Sequence, residues 1–169
     1  MTQSEKKITK SKLDILIDKP LHKVDHFEGA ITFTFLVDET IYDLSIICSM
    51  RFYKDDSYIF ASHDMYQPID SLFNYDDFVW DTFPWHEKGN NKLDKAIERH
   101  FNNNFNDYVV KSMQVKQFGD LTIQFTNGYT LEIFSDASGF SENWRFGIQG
   151  AEKPLLLVAG IGLDHELMK

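Results

Sequence analysis

Cys48 and His63 are the two residues of this chain whose chemistry best suits covalent catalysis. They fall in two predicted strands joined by a tight turn at Asp55-Asp56, and alternation about that turn sets His63 opposite Cys48. A thiolate beside an imidazole is an activated nucleophile. Because the shared face is apolar, we expect both side chains in the core. A small enzyme that uses His63 with Cys48, or an acid such as Asp64, is for this reason an alternative and not the leading interpretation.

The stretch LHKVDHFEG contains the residues that most resemble a metal site. His22, Asp25 and His26 would share one face if the stretch were helical, but its pattern favours a strand and a turn. A single cysteine excludes a multi-cysteine zinc site, and there is no HExxH, GxxxxGK[ST] or GxSxG motif. We interpret VAGIG at 158–162 as a strand end and turn. The sequence thus predicts no catalytic residues, no metal and no cofactor.

Acidic charge is concentrated in one segment. The net charge is -9, and residues 55–87 hold eight acids and no Lys or Arg, which leaves eighteen acids and seventeen bases elsewhere. Nucleic-acid binding requires cations that neutralise phosphates, so we expect no nucleic-acid partner. A basic protein would be attracted to this segment.

Residues 70–87, DSLFNYDDFVWDTFPWHE, form the predicted partner surface. Six aromatic residues alternate there with four Asp and one Glu. Interfaces favour aromatic anchors, and the acids would pair with basic groups. The alternative is that half of these rings cover the sheet. The residues assigned to partner binding are Phe73, Tyr75, Asp76, Asp77, Phe78, Trp80, Asp81, Trp85 and Glu87.

Alternating patterns predict the strands that must support this surface. In GDLTIQFTNGYTLEIFSD, a two-residue Asn-Gly turn would send the apolar residues of the two strands to opposite faces. A three-residue loop, Thr126-Asn127-Gly128, instead pairs Ile123 with Leu131 and Leu121 with Ile133. Upstream, LSIICSMRFY is predicted as one strand with alternate residues from Leu44 to Phe52 inward. After the hairpin, we expect Trp144 in the core and Arg145 exposed or ion-paired.

Helical spacing is found in one place. Apolar residues recur on one face over about residues 91–105, with Asn91 as N-cap. The predicted class is α+β, with a mostly antiparallel, strongly curved or sandwich-like sheet and this main amphipathic helix. Residues 1–12 are predicted to be a flexible basic tail and 13–169 a single globular domain. We find no internal repeat.

Three stretches together resemble a known class of proteins: LSIICSMRFYKDDSYIFASHDMY, FVWDTFPWHEKGNNKLDK and GDLTIQFTNGYTLEIFSDASGFSENWRF. They resemble small, largely uncharacterised proteins of Gram-positive bacteria that are similar to the immunity proteins of polymorphic toxins. The resemblance implies a cytosolic antidote that binds a toxin domain and has no cofactor and no turnover. It assigns a role to no individual residue.

Location and assembly are predicted from what the sequence lacks. No apolar run approaches the roughly 20 residues that span a bilayer, and no hydrophobic segment follows the N-terminal lysines to make a signal peptide. We therefore expect a cytoplasmic protein that does not bind membranes. A self-associating structural module, in which the aromatic residues bury a homodimer interface, remains a second alternative.

Overall fold

Two antiparallel sheets dominate the structure, a computed structural model that describes residues 1–69, 83–102 and 104–164. The helices in these ranges are α1 (Gln3–Leu13) and α2 (Lys92–Phe101), with short 3₁₀ helices between elements. The strands are β1 (Leu21–Phe27), β2 (Ala30–Val37), β3 (Thr40–Ile46), β4 (Ser49–Lys54), β5 (Ser57–Ala61), β6 (Val110–Val115), β7 (Leu121–Phe125), β8 (Tyr129–Phe134), β9 (Glu142–Ile148), β10 (Leu156–Ala159) and β11 (Gly162–Leu163).

The strand order confirms the predicted α+β class and its antiparallel sheets. The first sheet has the order β1-β2-β3-β9-β10-β11, and the second has the order β5-β4-β8-β7-β6. The sheets face each other across a shared core, where the Phe33 ring of β2 lies 6.2 Å from Phe52 of β4 and 6.5 Å from Phe60 of β5. In the ranges that the structure describes, no helix is long and apolar enough to cross a membrane.

The hairpin of β7 and β8 has the predicted register. Leu121 pairs with Ile133 and Ile123 with Leu131, and all four side chains are buried. Gly128 has φ +88°, the left-handed conformation that a three-residue loop requires. The Asn-Gly pair alone would predict a two-residue turn. The alternation of apolar residues in the two strands correctly predicts a three-residue loop.

Helix α2 also begins as predicted. Asn91 caps it, with its side-chain oxygen accepting a hydrogen bond from the Asp94 backbone N–H at 2.8 Å. The helix ends at Phe101, because Asn102 adopts a left-handed conformation with φ +41°. The helix is thus shorter than the predicted 91–105, and Asn102, Asn104 and Phe105 lie beyond its end.

Two predictions about the first half are wrong. The predicted long strand is broken at Ile47 and Cys48, where the chain leaves the first sheet and enters the second, because both backbone N–H groups donate to the Asn143 carbonyl oxygen. Residues 3–13 form helix α1 rather than a flexible tail. A capping box between Thr2 and Glu5 starts this helix, and buried Leu13 fixes its end in the core.

The two halves of the chain have the same topology. In each, a capped helix leads into a three-stranded meander, and the chain then crosses to the other sheet to form a further hairpin: α1 with β1 to β5, and α2 with β6 to β10. The N-caps Thr2 and Asn91 are 89 residues apart. Interruptions of strand register fall between Leu21 and Lys23 and, again 89 residues on, between Val110 and Ser112.

Reciprocal contacts relate the halves by an approximate two-fold axis. Leu21 N donates to Tyr108 O at 2.9 Å, and its counterpart Val110 N donates to Lys19 O at 3.0 Å. Tyr42 stacks on Phe146 at 5.6 Å, just as Tyr129 stacks on Phe52 at 5.4 Å. Such mutual contacts are the signature of a two-fold interface with exchanged elements. The internal repeat is therefore structural, although the sequence pattern does not reveal it.

Candidate partner-binding site

The predicted partner surface lies between β5 and α2, and most of it falls outside the described residues. The predicted surface residues that fall outside are Phe73, Tyr75, Asp76, Asp77, Phe78, Trp80 and Asp81. Trp85 and Glu87 are described, as are the residues that flank the segment. We call these flanking residues, 67–69 and 88–92, the base. The geometry of that base determines how residues 70–87 are attached to the fold.

Backbone hydrogen bonds close the base. Pro68 and Asn91 form an antiparallel bridge, and Lys92 N donates to Gln67 O at 2.8 Å. Ile69 N donates to Asn90 O at 3.3 Å. The described residues on the two sides of the segment, Ile69 and Asn90, are therefore held next to each other.

The Asp94 carboxylate binds the part of the base that directly precedes α2. Its Oδ2 accepts hydrogen bonds from Gly89 N at 2.7 Å and from Asn91 Nδ2 at 3.1 Å, and Asn91 Nδ2 also donates to Trp85 O at 2.9 Å. Its Oδ1 lies 3.1 Å from His26 Nδ1 of β1. The His26 side chain is fully buried, and its Nε2 has no hydrogen-bond partner among the described residues. A buried polar cluster thus joins the base to the first sheet.

A second link joins the base to β1 at the surface. Asp25 accepts hydrogen bonds from Lys88 at 2.5 Å and pairs with Lys23 at 2.6 Å. Burial acts to raise the pKa of Asp25, but the hydrogen bonds from Lys23, Lys88 and the His26 backbone outweigh it and lower that pKa. The carboxylate is therefore ionised at neutral pH and holds Lys88 against the first sheet.

The two described members of the predicted surface have different environments. Trp85 is half-buried: its ring lies 5.0 Å from that of Tyr66 and packs against the core. Glu87 is exposed and accepts a hydrogen bond from Asn90 Nδ2 at 3.0 Å. Trp85 therefore belongs in part to the scaffold. Whether half of these rings cover the sheet stays a prediction, because four of the six lie outside the described residues.

The predicted pairing of Cys48 with His63 is wrong. Strands β4 and β5 pair Arg51 with Ala61 and Phe52 with Phe60, so His63 lies beyond the end of β5 and is exposed in a 3₁₀ helix. A register shift after Phe52 turns Phe60 inward in place of Ile59 and Ala61. Burial raises the pKa of Cys48 to about 12, with the charge of Asp136 adding to the effect. Asp64 accepts from Ala61 N at 2.8 Å and caps the same 3₁₀ helix.

The histidines at 22 and 26 do not share a site. They lie in β1 as the strand interpretation predicts, with His22 exposed and His26 buried. Over residues 1–69, 83–102 and 104–164, no group of three or more metal-ligating side chains is close enough to hold an ion. Trp144 is fully buried and Arg145 pairs with Glu142 at 2.7 Å, which confirms both predictions.

One polar cluster is missed by the sequence analysis. Tyr108 Oη lies 2.8 Å from His100 Nε2, and the Tyr129 ring lies 4.9 Å from the His100 ring. Burial lowers the pKa of His100 and raises the pKa of Tyr108 to about 12, so both side chains are neutral at pH 7. The three residues come from a helix, a loop and a strand, and no spacing in the sequence joins them.

Comparison with protein-family models, with curated proteins and with solved structures finds no match. The resemblance to immunity proteins therefore stays a prediction from the sequence.

Proposed function

We propose that this protein is a non-catalytic binding protein of the immunity type, which inhibits a basic toxin domain through the acidic and aromatic residues of segment 70–87. The observation that carries the proposal is the base of this segment. A segment with this composition is attached to the first sheet through a buried, hydrogen-bonded cluster centred on Asp94. A rigid attachment reduces the entropy lost when a loop binds.

The charge of the segment supports a basic partner. Asp70, Asp76, Asp77, Asp81 and Glu87 lie among six aromatic residues, and no Lys or Arg neutralises them within residues 55–87. Aromatic anchors supply the contact area, and surrounding acids speed encounter with a positively charged surface. Active sites that bind phosphate esters are themselves basic, so an acidic inhibitor is physically suited to block one.

The environment of Cys48 weighs against the enzyme alternative. Its thiol is buried, its pKa is raised, and the exposed His63 is not its partner across the sheet. Asp64 is engaged in capping a 3₁₀ helix. The remaining alternative, a self-associating module, differs from the proposal in the partner and not in the surface.

The first experiment is recovery of the tagged protein from a lysate of its own organism, with identification of co-purifying proteins by mass spectrometry. The proposal expects a stoichiometric basic partner. Affinity for that partner is then measured by titration calorimetry at low and high salt.

Charge substitutions test the position of the surface. We expect Asp76→Asn, Asp77→Asn and Asp81→Asn together to weaken binding about 10- to 100-fold at low salt and to reduce its salt dependence. The matched control makes the same change in charge at three exposed acids elsewhere, Glu28→Gln, Glu39→Gln and Glu152→Gln. Equal affinity and equal salt dependence for the two triple variants would show that the surface is wrongly placed. A homodimer lost on Trp80→Ala would instead favour the self-associating module.

A further inference from the structure

The corner between α2 and the β7–β8 loop contains an open cavity of about 480 Å³. Its walls include His100, Phe101, Asp107, Tyr108 and Tyr129. The hydroxyl of buried Tyr108 is engaged with His100, and the Tyr129 ring packs against both. A cavity of this size and lining accommodates a small organic ligand.

Asp107 carries the only formal charge on the described lining of this cavity at neutral pH. His100 is neutral because burial lowers its pKa, and Tyr108 is neutral because burial raises its pKa. Asp107 is held in place by a hydrogen bond from Asn104 Nδ2 at 2.6 Å. A single carboxylate beside aromatic rings favours a positively charged ligand.

The other half of the molecule contains the equivalent corner, and there a lysine pairs with the adjacent turn. Lys19 occupies the position equivalent to Tyr108, 89 residues earlier, and its ammonium pairs with Asp38 of the β2–β3 turn at 2.9 Å. In the second half the corresponding turn is Thr126 to Gly128, and no lysine lies in the lining. The first corner therefore holds a lysine–aspartate pair, whereas the described lining of the second has the Asp107 carboxylate and no lysine.

We propose that this cavity binds a primary alkylammonium group, with Asp107 as its charge partner and the Tyr129 ring as an aromatic contact. The proposal rests on the comparison of the two corners and does not depend on the partner surface at residues 70–87. The ammonium group can belong to a small amine or to a lysine side chain of another protein. Both carry the same chemistry, and the choice of probe distinguishes them.

Lys54 is the nearby cation that opposes this binding. Its Nζ lies 4.9 Å from the centroid of the Tyr129 ring, which shows that this ring accepts an ammonium group. A second ammonium close by would be repelled. Removal of the Lys54 charge is therefore expected to strengthen binding, whereas a site that recognises an anion would be weakened by the same change.

The test is an NMR titration of the intact protein at pH 7 with three probes at millimolar concentration. The first is butylammonium, and the second is the blocked pentapeptide Gly-Gly-Lys-Gly-Gly. The third is the same peptide with norleucine in place of lysine, which keeps the chain length and lacks the charge. We expect shift changes at residues 107, 108 and 129 with a Kd of about 1 mM for butylammonium and no response to the norleucine peptide.

The response to the lysine peptide shows whether the ammonium group belongs to a protein side chain or to a small amine. Binding of both charged probes assigns the cavity to a lysine side chain, and binding of butylammonium alone assigns it to a small amine. The proposal fails if neither charged probe shifts these resonances, or if norleucine acts as strongly as lysine.

Three variants locate the charge partner. Asp107→Asn is expected to weaken butylammonium binding about tenfold, since a hydrogen bond to a charged group is lost. The matched control is Asp18→Asn, the same change 89 residues earlier, which should leave the Kd unaltered. Lys54→Met should lower the Kd. Equal effects of Asp107→Asn and Asp18→Asn would show nonspecific attraction to an acidic protein and would overturn the proposal.

Discussion

The two halves of this molecule share a topology but differ in what they place at equivalent positions. In the first half, helix α1 begins with an exposed capping box, and the corner beside β3 holds the ion pair of Lys19 and Asp38. In the second half, the first turn of α2 carries the buried Asp94 cluster, and the corner beside β8 is an open cavity. Because the first half folds the same way without these features, the fold does not require them.

The difference separates scaffold from specialised chemistry. Features found in both halves, such as the capped helices, the register shifts and the stacked Tyr–Phe pairs, are those that the topology needs. Features of the second half alone surround the attachment of segment 70–87 and the cavity at Asp107. Both proposals concern this second group, so comparison of equivalent residues is the direct way to test them.

The largest expected difference is between the two equivalent core rings, Phe52 and Phe146. Phe52 contacts seven aromatic rings, including Phe33, Phe60 and Tyr129, whereas the one ring within stacking range of Phe146 among the described residues is Tyr42. We expect Phe52→Ala to reduce the free energy of unfolding by about 5 kcal/mol and Phe146→Ala by about 3 kcal/mol. Urea unfolding measures both. Equal losses would mean that the additional rings around Phe52 add nothing to the stability of the fold.

Cys48, at the crossing from the first sheet to the second, tests how tightly that crossing is closed. With its pKa raised from 9.0 to about 12, the thiolate fraction at neutral pH is lower by about a thousandfold. We expect Cys48 in the native protein to react with a thiol reagent at least about a thousandfold more slowly than in urea. Fast labelling of the folded protein would contradict the buried crossing and restore the nucleophile hypothesis.

Asp94 and Glu5 are the third residues of α2 and α1, equivalent positions with unequal surroundings. Asp94 is buried with three side-chain or backbone donors around it, whereas Glu5 caps an exposed helix end. We expect Asp94→Ala to cost about 3 kcal/mol and Glu5→Ala about 1 kcal/mol of unfolding free energy. Thermal and urea denaturation give both values. Of these two variants, Asp94→Ala alone should lower partner affinity, because Asp94, unlike Glu5, joins the base of segment 70–87 to the first sheet.

The smallest expected effect is a dependence of stability on pH that arises from His100. Burial lowers its pKa in the folded protein, so the unfolded chain binds its proton more readily. The stabilising contribution of neutral His100 is present above its unfolded pKa, near 6.5, and is lost as the pH falls below that value. The melting temperature should therefore decline below pH 6.5, and His100→Gln should make the decline shallower. An unchanged slope would show that His100 is not responsible.

How much the sequence predicts depends on whether the information is local. The β7–β8 loop is predictable because the parity of Leu121, Ile123, Leu131 and Ile133 permits one register only. The cap of α2 is predictable because Asn91 precedes an amphipathic pattern. The break at Ile47 and Cys48 is not, since alternation continues unbroken across it and the Asn143 carbonyl that receives both N–H groups lies about a hundred residues away.

The candidate sites show the same limit. Composition identifies segment 70–87, but nothing in the sequence links its base to His26, which is 68 residues from Asp94. The 89-residue repeat is hidden for a physical reason: an inward position accepts Leu, Val, Ile, Met or Phe, so equivalent residues such as Leu21 and Val110 preserve burial without preserving identity. Topology then reveals what residue identity does not.

The exchange of strands between the two sheets has a consequence for biosynthesis. Strand β3 pairs with β9 and β4 with β8, so an emerging N-terminal half leaves the ribosome with two open strand edges whose partners have not yet been translated. At about 5–20 residues per second, the roughly 100 residues that separate β3 from β9 take about 5–20 seconds to synthesise. Throughout that interval, the nascent chain exposes the kind of unpaired edge that promotes misassociation with neighbouring chains.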